Sequence, residues 1–358
     1  MRSRTSRRRN GRLPAEPGCI FASALLCCAF ALPSFSKDWL FVTTNWAEGG
    51  NEQVLLIDSE TGQRRVLWNG GVELDAVVSP DAGLLYVTYI GDKGYELAVV
   101  ETATGAVLRR AEIPQLIRWI SPSTPGMAIS PDGRWLYLLK TNYSAGSSEY
   151  SLLTFDTRES RFVSEEQTIS NCRGAHPQAV PGAGKMLVLC GGSESQASDG
   201  SLVLRLPDFQ NFVLGRGGDG YLLYSAGSNG RIQAADVNTH EIVQISKDSP
   251  LRHRRFMPSS GTMSPDGRLW YLPIKIPDNG EQEIEQILVF DTQAMTMANI
   301  ITPVGPFWGL ALSSDGRRLY ASQADLQNIM VIDTGTRQAI RTLAVGAKPS
   351  ILFAVKAP

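Results

Sequence analysis

Four stretches of this chain carry almost the same eight residues: SPDAGLLY at 79–86, SPDGRWLY at 130–137, SPDGRLWY at 264–271 and SSDGRRLY at 313–320. Self-similarity of this kind means that one supersecondary unit is built several times. Each copy follows a short apolar run (DAVV, GMAI, GTM, GLAL) and leads into a second strand-like run. Some 20 residues further on comes a second phrase: VVETATGAVL (99–108), LTFDTRESRF (153–162), LVFDTQAMTM (288–297) and MVIDTGTRQA (330–339). In S-P-D-G the proline presets φ, the aspartate bonds its own backbone and the glycine accepts positive φ, so the phrase is a tight turn. The D-T-x-T-G type phrase is a second one. Four short strands with two tight turns describe one small antiparallel sheet per repeat.

Weaker copies lie at 39–68 (WLFVTT, then VLLIDSETGQRRVLW), 176–206 (HPQAVPGAGKMLVLC, then DGSLVLRL) and 221–246 (YLLYSAG, then RIQAADVNTHEIVQIS). With the four clear copies they make seven. The copy at 39–68 lacks its first strand, and GAKPSILFAV at 346–355 is a lone first strand. Pairing Ser350–Val355 with the segment from Trp39 closes a ring and leaves no sheet as an open edge. The predicted fold is therefore all-β: a seven-bladed propeller of four-stranded antiparallel blades over 37–358, its ring closed by the N- and C-terminal strands. A doubly wound α/β fold fails because no segment shows 10 to 15 residues of helical periodicity. Two stacked sandwiches give no reason for a fixed period or for complementary ends.

Residues 1–36 stand apart. Six arginines precede an apolar stretch, Cys19–Leu32, and small residues follow at Ser34 and Ser36. This is the pattern of an export signal; fourteen apolar residues fall short of the roughly 20 that span a bilayer, which makes a retained anchor the weaker reading. SRRRNGRL lacks the apolar residues that follow the pair in a twin-arginine signal. Removing 1–36 takes six of 34 basic and one of 35 acidic residues, leaving 28 against 34. An acidic mature chain offers no basic stripe for nucleic acid. The predicted location is periplasmic or secreted. Of five cysteines, only Cys172 and Cys190 lie beyond the signal, and an even pair in an exported protein reads as a disulfide, with two buried thiols as the other reading.

The phrasing resembles the YVTN-type, WD40-like propeller repeat over essentially the whole mature chain. More narrowly, Cys172, His176, Pro177, Cys190 and the run Asp199-Gly200-Ser201-Leu202 follow the order of features in the heavy, propeller chain of periplasmic amine dehydrogenases. That resemblance implies a structural disulfide and a non-catalytic chain supporting a separate quinone-bearing subunit.

The residues themselves point the same way. His176, His240 and His253 have no metal-site spacing, no CxxC or CxxCH occurs, and no resident cofactor or metal is predicted. GRGGDG at 215–220 satisfies GxGxxG but precedes strand-like YLLY, so it reads as a glycine-rich bend between blades. DNGEQE at 278–283 lacks the alternating carboxylates of a calcium loop. In a propeller the tight turns share one face, leaving the other to the entering and cross-blade loops. Those loops carry Arg118, Trp119, His176, Arg252, His253, Arg254, Arg255, Phe256, Phe307 and Trp308 to one candidate rim, in residue types enriched at interface centres. Alternatively the aromatic residues cap inter-blade packing and the RHRR run is a solvated loop. Two functions follow: a propeller that binds a protein partner, or a lactonase-like hydrolase using His176 and His253 with Glu73 or Asp75. A free-standing ligand-binding propeller is a third. The balance favours the protein-binding form.

Overall fold

A computed structural model describes residues 37–45, 52–92, 94–113, 126–144, 147–169, 173–180, 185–191, 202–206, 209–217, 220–227, 230–239, 241–251, 255–256, 261–277, 283–302 and 306–357. Phe35–Pro358 is one compact unit. Listed from the innermost strand outward, blade 1 is Lys348–Lys356, Asp38–Asn45, Gln53–Asp58 and Arg64–Asn69. Blade 2 is Val72–Val78, Leu84–Gly91, Gly94–Glu101 and Val107–Glu112; blade 3 is Met127–Ile129, Trp135–Ser144, Ser147–Asp156 and Arg161–Ile169. Blade 4 is Phe209–Gly217, Gly220–Gly227, Ile232–Asp236 and Ile242–Ile245. In blade 5 two short pieces, Arg255–Phe256 and Thr262–Met263, share the first-strand position against Leu269–Pro277, with Glu283–Asp291 and Thr296–Ile301 outside. Blade 6 is Gly309–Leu312, Arg318–Gln323, Asn328–Asp333 and Ala339–Ala344.

Among the described residues the blades number six, not the seven that the repeats predict. Between blades 3 and 4 the chain forms a three-stranded sheet, Arg173–Val180, Lys185–Gly191 and Leu202–Leu206, whose last two strands run parallel. The worn copy at 176–206 has lost both turn phrases, and no D-T clasp forces a hairpin after Gly191. Parallel pairing needs a crossover of roughly a dozen residues, and the ten between Gly191 and Leu202 come close to that length. A second reading also changes. GRGGDG is not a bend between blades: Gly217 pairs with Gly220, so the motif makes the hairpin between the first two strands of blade 4.

The turn chemistry explains the regular blades. Ser79 Oγ donates to Asp81 Oδ1 at 2.6 Å and accepts the amide of Leu84 at 2.8 Å. The same pair of bonds recurs at Ser130, Ser264 and Ser313. The second turn then grips the first: Thr157 sends its amide to Arg134 O and its hydroxyl to Gly133 O, and Thr292 and Thr334 repeat this with Arg268 and Gly267 and with Arg317 and Gly316.

Successive side chains point to opposite faces, so the near-continuous apolar runs of the middle strands make the regular blades apolar on both faces. In blade 2, Ala76, Val78, Leu85, Val87, Ala98 and Val100 face blade 1, while Val77, Tyr86, Leu97 and Val99 face blade 3. Like seams join blades 4 and 5, 5 and 6, and 6 and 1. The termini meet inside blade 1, where Phe41 pairs with Phe353 and Trp39 with Val355.

Candidate functional site

Both tight turns of a blade lie at one end of its strands, as the clasp bonds from Thr102 to Ala82 O and Gly83 O require. The opposite face therefore carries the entering and cross-blade connections. Five of the predicted site positions, Arg118, Trp119, Arg252, Arg254 and Cys172, lie outside the described residues, as does His253. His176 and Cys190 sit in neighbouring strands of the irregular sheet, opposite Leu189 and Ala175, with only their backbone described. Arg255 and Phe256 open blade 5, opposite Lys275 and Ile274.

Described side chains gather on this face where blade 5 meets blade 6. Lys275 and Glu285 are opposed across their strands and form an ion pair at 3.3 Å. The second oxygen of Glu285 accepts the amide of Phe307 at 2.6 Å, and Trp308 N donates to Ser322 O at 2.8 Å. The entry to blade 6 is thus fixed from both sides. Phe307 is fully buried, packed with Tyr271, Ile287, Ile301 and Leu310. Its neighbour Trp308 is 49% exposed. One aromatic residue anchors the loop while the next offers its ring to solvent. A rigid backbone lowers the entropic cost of using such a ring as a contact.

Two other groupings occupy the same end of the strands. Between blades 1 and 2 the Arg110 guanidinium lies 5.4 Å from the Trp68 ring centroid and 5.8 Å from that of Tyr89, and it donates to the Tyr89 hydroxyl at 2.9 Å. Tyr89 also bonds Glu96. Burial, then the Glu96 hydrogen bond, pushes the Tyr89 phenol up to about 12. This cluster escaped the sequence reading because its members lie on four strands of two blades. The only available signal was their recurrence near strand ends.

Asp75 lies on the innermost strand of blade 2 and is buried. Its oxygens accept the amides of Ala76 at 2.8 Å and Gly126 at 2.6 Å, with Met127 adding a third. Desolvation outweighs these amides and pushes the carboxyl up to about 7. Asp75 pins the entry of blade 3 to the wall of blade 2. Among the described residues no three His, Cys, Asp or Glu side chains gather as a metal site.

No family model matches the chain, and neither does any curated protein. Solved structures do. TolB from Acinetobacter baumannii is 13% identical with a TM-score of 0.51; the match covers 89% of this chain and 66% of TolB, so the chain spans just under two thirds of that protein. A Bacteroides fragilis protein proposed to be a 6-phosphogluconolactonase is 15% identical, TM-score 0.57, over 89% of this chain and 98% of its own. A protein of unknown function from Desulfotomaculum acetoxidans is 12% identical, TM-score 0.57, over 89% and 99%. At such identities the likeness establishes the β-propeller fold alone.

Proposed function

We propose that this propeller is an exported, non-catalytic scaffold that binds a protein partner through its loop-bearing face. The carrying observation is Trp308: a half-exposed indole on a loop held by the buried Phe307 and by Glu285. Trp is among the residues that most often dominate interface energy. The most concrete form of this function, drawn from the Cys172, His176, Cys190 and Asp199–Leu202 succession, is an amine dehydrogenase heavy-chain-like subunit beside a small quinone-bearing subunit. On this reading 1–36 is removed on export, the mature chain starts at Lys37, and Cys172 and Cys190 are joined.

A lactonase-like enzyme is the competing function. It would need an accessible acid or base, and Asp75, the candidate whose side chain is described, spends its oxygens on backbone amides. The test is native purification from the exporting cell. A co-purifying small subunit with quinone absorbance, lost from Trp308→Ala, supports the scaffold. A colourless monomer that opens lactones, with Trp308→Ala unaffected, refutes it.

A further inference from the structure

We propose that the outer flank shared by blades 6, 1 and 2 docks on an anionic lipid surface. The outer strands of these three blades, Ala339–Ala344, Arg64–Asn69 and Val107–Glu112, hold five arginines (Arg64, Arg65, Arg109, Arg110, Arg341) and one carboxylate, Glu112, and Arg110 is offset by Glu96 of the adjoining strand, 3.8 Å away. The outer strands of blades 3, 4 and 5 hold one arginine and two glutamates. A chain with an acidic balance has gathered its outer-strand positive charge on one contiguous side.

Three of the arginines fasten neighbouring blades. Arg64 donates to Val345 O, Arg65 to Thr102 O and Ala103 O, and Arg341 to Glu60 O. These acceptors are neutral carbonyls, so the guanidinium charges are held in place without being cancelled. Arg109 is exposed and has no carboxylate partner among the described residues. Exposed aliphatic side chains alternate with these charges: Val66 at 48%, Leu108 at 52% and Ile340 at 50%. Phosphate groups satisfy the arginines, and the interface beneath them takes the aliphatics, a combination that nucleic acid does not require.

The alternation selects a lipid surface over an acidic protein: headgroup phosphates lie above an apolar layer, so one surface meets the guanidinium groups and the aliphatic side chains together.

The test compares the full chain with a Leu108→Ser/Arg109→Glu double variant for binding to phosphatidylcholine vesicles with and without phosphatidylglycerol. Residues 1–36 are common to both proteins, so the difference between them reads the flank. The double variant is expected to lose roughly 25-fold of the preference for anionic vesicles, since Arg109→Glu changes the charge by two and each charge near the surface is worth about fivefold. High salt erases that difference, and Arg161→Glu on blade 3 leaves the preference unchanged. Equal preference in wild type and double variant overturns the proposal. So does an absence of any difference on vesicles combined with salt-sensitive capture of polyglutamate by wild type alone, which assigns the flank to an acidic protein.

Discussion

Thr292 shows how much one hydroxyl does here. It clasps the first turn of its own blade through Gly267 O and Arg268 O and also hydrogen-bonds Tyr224 of blade 4. Tyr86 with Thr157, Tyr271 with Thr334 and Tyr320 with Ser59 repeat that inter-blade bond. Thr292→Val keeps the shape, leaves buried polar partners unsatisfied, and should lower unfolding free energy in urea by about 1–3 kcal/mol. Glycine gives a sharper contrast. A Cβ on Gly316, at φ +72°, would lie 3.0 Å from Pro265 Cδ of the previous blade, whereas one on Gly133, at φ +69°, would lie 3.4 Å from Pro80 Cδ. Both positions carry a left-handed backbone cost of about 1–3 kcal/mol for alanine. Gly316→Ala should therefore lower the melting temperature more than Gly133→Ala, and an equal effect would mean that the inter-blade contact relaxes freely. Ala82 already occupies this conformation, at φ 59°. These roles were half legible: S-P-D-G and D-T declared themselves as turns, but the tyrosine partnership depends on residues more than 60 positions apart being brought side by side.

At the scale of the strand, acidic groups divide into two kinds. Asp81, Asp132 and Asp266, with the serine hydroxyl of their own turn as the first cause, are held below the usual carboxylate range. Asp75 and Asp38 are raised, burial being the first cause in each. A raised carboxyl contributes stability below its unfolded pKa and loses it as pH climbs through the folded value. For Asp75 that window runs from the ordinary carboxylate value of 3.8 to about 7. Across it Asp75 alone can lower stability by at most about 1.4 kcal/mol per pH unit. Denaturant unfolding between those limits should show a shallower decline in Asp75→Asn than in the wild type; identical slopes would mean that Asp75 stays ionised. Elements framed by the S-P-D-G and D-T phrases were legible from the order of residues alone. Phe209–Gly217 was not, because FQNFVLGRG mixes polar and glycine positions and its partner strand fixes it only in three dimensions. The parallel pair near Leu202 was hidden for a related reason: strand direction after a long connection is decided by neighbouring sheets and not by local propensity.

For the molecule as a whole, closure is the dominant fact. Blade 1 takes its innermost strand from the C-terminus, and Phe353 and Val355 pack into the seam with blade 2 while Ala354 faces blade 6. The same junction holds Asp38, which accepts from Ser314 N and Oγ, and an Arg318–Glu60 ion pair at 2.5 Å. Deleting Lys348–Pro358 should remove stability comparable to that of an ordinary domain, roughly 5–15 kcal/mol, and abolish cooperative thermal unfolding. Deleting only Ala357 and Pro358 should leave the transition nearly unchanged, and similar melting curves for the two would rule out terminal pairing. The pairing of termini was readable because one end lacked what the other had spare; the blade count was not, because a decayed repeat still looks like a repeat. Asp38 and Lys356 are partners across nearly the full length of the polypeptide. Residues 348–356 are thus synthesised long after the strands they complete, and until they emerge blade 1 lacks its innermost strand. Ring closure therefore waits until every other blade has been made.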